Sequence, residues 1–251
     1  MALKVFLLRV IFLTLFGIPS IKAEPVRELQ IAVAANFRSA AEVLGQEFTR
    51  RSGVQVQNSY ASTGKFTAQI LYGAPYDIFL AADTKSVEFL ISRGKIKQGS
   101  QFVYAQGALV LVCPEKLTCN SMGLQNSSGS LAIANPTHAP YGKAARSYLE
   151  SQNLWESRQQ NIVTGENIGQ TFQFFISGNS DFALVAYSQV IDWHLQNKRL
   201  VFMTVPQKSY PAILQSAGLI HDKPAAREYL AFLRSKSAKE IIHSFGYTTE
   251  N

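Results

Sequence analysis

The sequence predicts an α/β protein of two lobes, each built on a parallel sheet, joined by two crossings of the chain. Three observations point there. Short apolar runs of strand length alternate with segments whose apolar residues recur at helical spacing. The pattern starts afresh near Gly107. After Pro206 one more apolar run and two helical segments follow, which return the C-terminus to the first unit. A chain of 251 residues is long enough to bury two modest cores.

In the first unit, Leu29 to Ala35 reads as a buried strand. Ala40, Ala41, Leu44 and Phe48 then recur at helical spacing from Phe37 until Gly53 ends the helix. Val54 to Tyr60 alternates as a strand does, and Phe66 to Leu71 is a helix stopped by Gly73. Tyr76 to Ala81 is a second buried strand, followed by a helix over Ser86 to Ser92. In the second unit, strands are expected at Ala108 to Cys113, Leu131 to Asn135, Phe182 to Ala186 and Leu200 to Val205. Helices are expected at Lys143 to Gln152, Gly169 to Ser177 and Ser188 to Gln196. The closing segment holds a strand at Pro211 to Gln215 and helices at Ala225 to Arg234 and Ala238 to Phe245. The expected division is residues 24–104 and 207–251 for one lobe and 105–206 for the other. There is no internal repeat and no low-complexity segment.

Residues 1–23 read as a secretory signal. Lys4 supplies the positive start, Val5 to Ile18 the apolar stretch, and Ala23 the small residue before a cut. The uncharged part, Val10 to Ile18, is too short to span a bilayer. The mature protein is therefore expected to be soluble and, in a bacterium with two membranes, periplasmic. The formal charge of +7 falls to +4 without Lys4, Arg9 and Lys22. The remaining basic residues are scattered, which argues against nucleic acid as a partner. Cys113 and Cys119 flank Pro114 in the exported portion, where a bridge across a turn can form; two free thiols are the alternative. Their spacing fits no zinc site of four ligands.

Four loops run from a strand into the first turn of a helix with small or polar residues at the junction. They are Ala34-Ala35-Asn36, Ser62-Thr63-Gly64, Pro140-Tyr141-Gly142 and Asn167-Ile168-Gly169. In an open sheet such junctions lie at the carboxyl edge, where ligands bind. A helix start presents unpaired N–H groups and a partial positive charge. Several aimed at one cleft make an anion site without arginine or lysine. One such loop alone is ordinary helix capping. Four together shift the balance toward a site.

These strings resemble those of the periplasmic molybdate-binding proteins of ABC importers over nearly the whole mature chain. The resemblance is carried by Ala32-Val33-Ala34-Ala35-Asn36-Phe37, Tyr60-Ala61-Ser62-Thr63-Gly64 and Gly73-Ala74-Pro75-Tyr76-Asp77-Ile78-Phe79-Leu80-Ala81-Ala82-Asp83. Asn135-Pro136-Thr137-His138-Ala139-Pro140-Tyr141-Gly142 and the ending Phe245-Gly246-Tyr247 complete it. The resemblance implies a type II binding-protein fold of two lobes, which close over one molybdate or tungstate ion. It also implies delivery to a membrane permease, no enzymatic activity, no cofactor and a monomer. It places the anion against Asn36, against Thr63 with Ser62 beside it, and against the backbone N–H groups of Tyr141 and Ile168. Some relatives add a tyrosine hydroxyl, which falls here nearest Tyr187, one residue after the matching alanine.

Other chemistries lack their residues. Gly64-Lys65 is not a P-loop, no Gly-x-Ser-x-Gly elbow occurs, and the four histidines show no HExxH pairing. That leaves an exported hydrolase without a poised nucleophile. A ferric-iron site would want clustered tyrosines with a carboxylate or histidine. Another oxyanion, sulfate or phosphate, is the rival that the loops alone leave open. Phosphate rewards a carboxylate that takes its proton, and only Glu166 lies near these loops.

Overall fold

The computed structural model describes residues 28–115 and 119–249, so the expected signal at 1–23 lies outside the described residues. The chain runs through β1 (Glu28–Ala34), α1 (Arg38–Ser52), β2 (Gln55–Ala61), α2 (Thr63–Leu71), β3 (Ile78–Ala81), α3 (Thr84–Ser92), β4 (Phe102–Gly107) and β5 (Leu109–Cys113). It continues with α4 (Ser121–Gln125), β6 (Leu131–Ala134), α5 (Pro140–Ser151), α6 (Trp155–Arg158), β7 (Ile162–Gly165), α7 (Ile168–Ile176), β8 (Phe182–Ala186) and α8 (Tyr187–Leu195). β9 (Val201–Thr204), β10 (Ile213–Leu219), α9 (Pro224–Leu233) and α10 (Lys236–Ser244) close it. A single 3-10 turn, Ala35–Phe37, leads into α1.

Two five-stranded sheets result, ordered β2-β1-β3-β10-β4 and β7-β6-β8-β5-β9. Each is parallel at one side only. β1 pairs in parallel with β2 and β3, and β6 with β7 and β8. β10 is antiparallel to β3 and β4, and β5 is antiparallel to β8 and β9. The expected parallel sheets are thus mixed, because the strands beside the crossings enter each sheet from the other lobe and run back against it. Only Ala108 separates β4 from β5, and residues 205–212 make the return crossing. β4 belongs to the first sheet as far as Gly107, so the boundary expected between 104 and 105 falls inside a strand.

Period-two alternation builds the cores on both faces of each sheet. Leu29, Ile31 and Val33 of β1 face the cluster under α1, α9 and α10, and Ala32 faces the one under α2 and α3. In the second lobe Leu109 and Leu111 face the α5 side, while Val110 and Val112 face the α7 and α8 side. Two buried charges are tied into this frame. Asp77 is fully buried, lies 2.7 Å from Lys223 Nζ, and accepts the Gln30 N–H at 3.0 Å. Arg158 donates to the carbonyls of Leu124, Ser127 and Gly129 at 2.8–3.0 Å, fixing the loop after α4 to α6. Burial lowers its guanidinium pKa. Cys113 and Cys119 are bonded, with Cα atoms 5.5 Å apart.

Candidate functional site

Register brings the loops together. Ala34 of β1 pairs with Ala61 of β2, so both strands end level and their following turns lie side by side. Ala134 of β6 pairs with Gly165 of β7 in the same way in the second sheet. The two carboxyl edges face each other, and between them is a small cavity of about 10 Å³. It is lined by Ala34, Ala35, Asn36, Ser62, Thr63, Ala82, Ala139, Pro140, Tyr141, Asn167 and Ile168. Asn36, Ser62, Thr63, Tyr141 and Ile168 are therefore gathered around one space. Among the described residues no charged side chain lines it, and Lys65 and Lys143 stand exposed on their helices.

Helix geometry decides which donors remain available. The first N–H groups of a helix have no acceptor within it. Ser62 caps α2 by accepting from the Lys65 N–H at 3.4 Å, and Asn167 caps α7 by accepting from Gly169 and Gln170 at 2.9 and 3.1 Å. The Gly64 N–H reaches into the other lobe, to the His138 carbonyl at 2.8 Å. For the N–H groups of Asn36, Thr63, Tyr141 and Ile168, no protein acceptor is found among the described residues. Thr63 Oγ1 accepts the Ala82 N–H at 3.0 Å, which leaves its own proton to give. Four amides and a hydroxyl thus surround a space lined by neutral residues.

Two expectations are corrected. The side-chain amide of Asn36 is not a free donor: Nδ2 gives its hydrogens to Gln215 Oε1 and Tyr247 Oη, each at 3.0 Å. What Asn36 offers the cavity is its backbone N–H. Tyr187 does not line the cavity; its ring packs against Gly246 and 5.7 Å from the Phe202 ring, and its N–H is held by the Ala108 carbonyl. α8 turns the next residue, Ser188, inward instead, where its hydroxyl donates to the Asn36 carbonyl at 2.9 Å.

The tyrosine rings buried near the site act as walls. The Tyr141 hydroxyl extends away from the cavity toward β4, where a Cβ on Gly107 would lie 2.1 Å from it. Burial pushes the Tyr141 phenol well above its ordinary range, and nearby tyrosines add to this. Burial also raises Tyr247, although hydrogen bonds to Ser188 and Asn36 pull the other way. These phenols stay protonated at neutral pH.

Residues 29–248 match the family described as bacterial extracellular solute-binding protein. The chain belongs to that family. It is a family of binding proteins serving transport, not of enzymes, and its solute is cargo, not a cofactor. Among its relatives, the molybdate-binding protein of Rhodobacter capsulatus is 37% identical over 228 residues, 89% of each chain. The periplasmic molybdate-binding protein of Azotobacter vinelandii superposes with a TM-score of 0.84 at 31% identity, over 89% of this chain and all of the other. A sulfate-binding protein of Mycobacterium tuberculosis has the same fold at a TM-score of 0.74 but only 13% identity, over 90% of this chain and 88% of its own.

The sequence does not point to Ser188, Gln215 and Tyr247 as site residues, yet all three bond to Asn36. Tyr247 lay within a string that carried the family resemblance. A glutamine inside an apolar strand and a serine at a helix start carry no signal by themselves.

Proposed function

We propose that this solute-binding protein is exported, is cut after Ala23, and captures molybdate or tungstate for the permease of an ABC importer. One observation carries the reading: four unpaired helix-start N–H groups and the Thr63 hydroxyl ring a cavity that no charged side chain lines. A dianion supplies the charge, and fixed neutral donors hold it without desolvating a buried cation. The kinship to the Rhodobacter and Azotobacter proteins, both named for molybdate, supports the choice of ligand. We assign contact to the backbone N–H groups of Asn36, Thr63, Tyr141 and Ile168 and the hydroxyls of Thr63 and Ser62. The lobes divide at the two crossings, near residues 104–107 and 205–212; a monomer closes about them, and the Cys113–Cys119 bridge forms after export.

Closure gains free energy because one anion contacts both lobes. Sulfate is the rival, since the fold also serves a sulfate-binding protein. Sulfate and molybdate carry equal charge at neutral pH and differ in size. A smaller anion leaves donors out of reach, each worth about 1.5–3 kcal/mol toward a charged acceptor. Calorimetric titration of the mature protein with molybdate, tungstate, sulfate and phosphate tests this. Tight, near-equal binding of the first two with weak sulfate binding is expected; equal sulfate and molybdate affinities refute it.

A further inference from the structure

Around the Asn36 carbonyl the structure builds a second network, whose partners Ser188 and Tyr247 do not line the anion cavity. The Tyr247 hydroxyl donates to that carbonyl at 2.7 Å, and Ser188 donates to it at 2.9 Å. Tyr247 Oη also accepts from Asn36 Nδ2 at 3.0 Å and lies 3.0 Å from Ser188 Oγ. All three residues are buried. They do not come from one lobe. Asn36 follows β1 of the first sheet. Tyr247 is fixed to the same lobe: Thr248 pairs with Gln106 of β4 through both backbone groups, and the Tyr247 ring meets Phe37 edge-on at 5.2 Å. Ser188 starts α8, directly after β8 of the second sheet. The Asn36–Tyr247 pair thus lies within one lobe, and the Ser188 hydroxyl reaches it from the other.

We infer that Ser188 is a positioning residue for capture, latching the Asn36 loop across the lobes without touching the anion. The inference rests on the reading that the cavity holds an oxyanion. The Asn36 turn carries one of the N–H groups at the cavity, and its carbonyl is gripped from both lobes. A protein whose binding-competent state is partly populated binds with its affinity reduced by that fraction. Losing the latch lowers the closed fraction while leaving every donor to the anion in place. One neutral hydrogen bond is worth roughly a three- to tenfold change. Closure traps the docked anion, so the change belongs in the rate of dissociation.

Two readouts on Ser188→Ala decide this. The first is the kinetics of molybdate binding. The second is hydrogen exchange of the Gly64 amide in the ligand-free protein, since the bond of that amide to the His138 carbonyl spans the lobes at 2.8 Å and reports closure directly. Dissociation three- to tenfold faster, association within about twofold of the parent, faster Gly64 exchange and an unchanged melting temperature are expected. A parental dissociation rate with parental Gly64 exchange overturns the latch. So does a loss of affinity matched by a fall in melting temperature, which marks Ser188 as merely structural. If the parent itself fails to bind molybdate, the oxyanion reading fails, and Gly64 exchange in Ser188→Ala still decides the latch.

Discussion

The Gly64 N–H donates to the His138 carbonyl over 2.8 Å, joining the first turn of α2 in one lobe to the loop before α5 in the other. A Cβ on Gly64 would lie 2.8 Å from that carbonyl oxygen and 3.0 Å from the His138 Cα, so the lobes meet here only because residue 64 has no side chain. Gly64→Ala should leave each lobe intact, since alanine suits a helix start, but hold the lobes apart. Overpacking of this kind costs about 1–3 kcal/mol. Calorimetry should show molybdate affinity down by roughly five- to over a hundredfold, with the ligand-free melting temperature held. Parental affinity would mean that the lobes bind without this contact.

Gly142 makes a different demand, inside one lobe. A Cβ there would sit 2.2 Å from the Ala134 carbonyl, where α5 packs on the end of β6. Neither side is a flexible side chain, so Gly142→Ala must shift α5. A loss of about 1–3 kcal/mol in unfolding free energy is expected. Urea denaturation of the ligand-free protein measures it, and an unchanged midpoint would contradict the packing described.

Titration separates the site from the fold. No carboxylate, histidine or amine lines the cavity, and the Tyr141 and Tyr247 phenols are pushed up by burial, so affinity should be flat from about pH 6 to 9. Stability should not stay flat above that. Burial raises Tyr104, Tyr141, Tyr229 and Tyr247 above the ordinary phenol range near 10, so beyond that pH the unfolded chain loses protons that the folded one keeps. The unfolded state then binds fewer protons, and stability falls as pH rises. Melting temperatures between pH 8 and 11.5 check the sign; a rise above pH 10 would refute it.

Much of this architecture was legible in the chain, and the reasons differ by element. Gly53 ends α1 in the left-handed region at φ 71°, and the strand-to-helix junctions at Asn36, Thr63, Tyr141 and Ile168 announced themselves by their small residues. β4 was missed because Phe102-Val103-Tyr104-Ala105-Gln106-Gly107 is not a continuous apolar run. Its partners are β10 and Thr248, more than a hundred positions away. β7 and the short α4 and α6 carry too few residues for a period to show. The donor atom at Asn36 was misread for a related reason. Its side chain is claimed by Gln215 and Tyr247, which are 179 and 211 positions distant, and no local pattern records that. Tyr187 and Ser188 differ by one position on α8, and which of them turns inward depends on how β8 delivers the helix.

The disulfide closes a loop with a sequence separation of six. In the chain-entropy account so short a loop contributes only about 2 kcal/mol. Cys113→Ser with Cys119→Ser should lower stability by that amount and leave molybdate affinity unchanged, because neither sulfur lines the cavity. A paired urea denaturation and titration tests both halves. A large loss of affinity would place the bridge in the binding mechanism, contrary to its position at the far end of β5.

Thr63 and Asn36 give the sharpest contrast in the site, because one lends a side-chain donor and the other lends only its backbone. Thr63 Oγ1 already accepts the Ala82 N–H, so its proton is free to meet the anion. Thr63→Ala removes that donor and should cost about 1.5–3 kcal/mol of molybdate binding. Asn36→Asp acts otherwise. It deletes two donated hydrogen bonds, to Gln215 and Tyr247, and puts a carboxylate beside a cavity meant for a dianion. Repulsion in a dry cleft adds to the lost bonds, so affinity should fall by ~3 kcal/mol or more, at least a hundredfold. The buried network is broken as well, and the ligand-free melting temperature should fall with it. Asn36→Ala removes the same bonds without the charge. It should weaken binding less than Asn36→Asp, because the backbone N–H remains. Lys65→Ala and Lys143→Ala, both on exposed residues, should leave affinity nearly unchanged. Titrations of the five variants with molybdate order these effects. If Lys65→Ala abolishes binding while Asn36→Asp binds as the parent does, the cavity is held by cations and the neutral-donor reading is wrong.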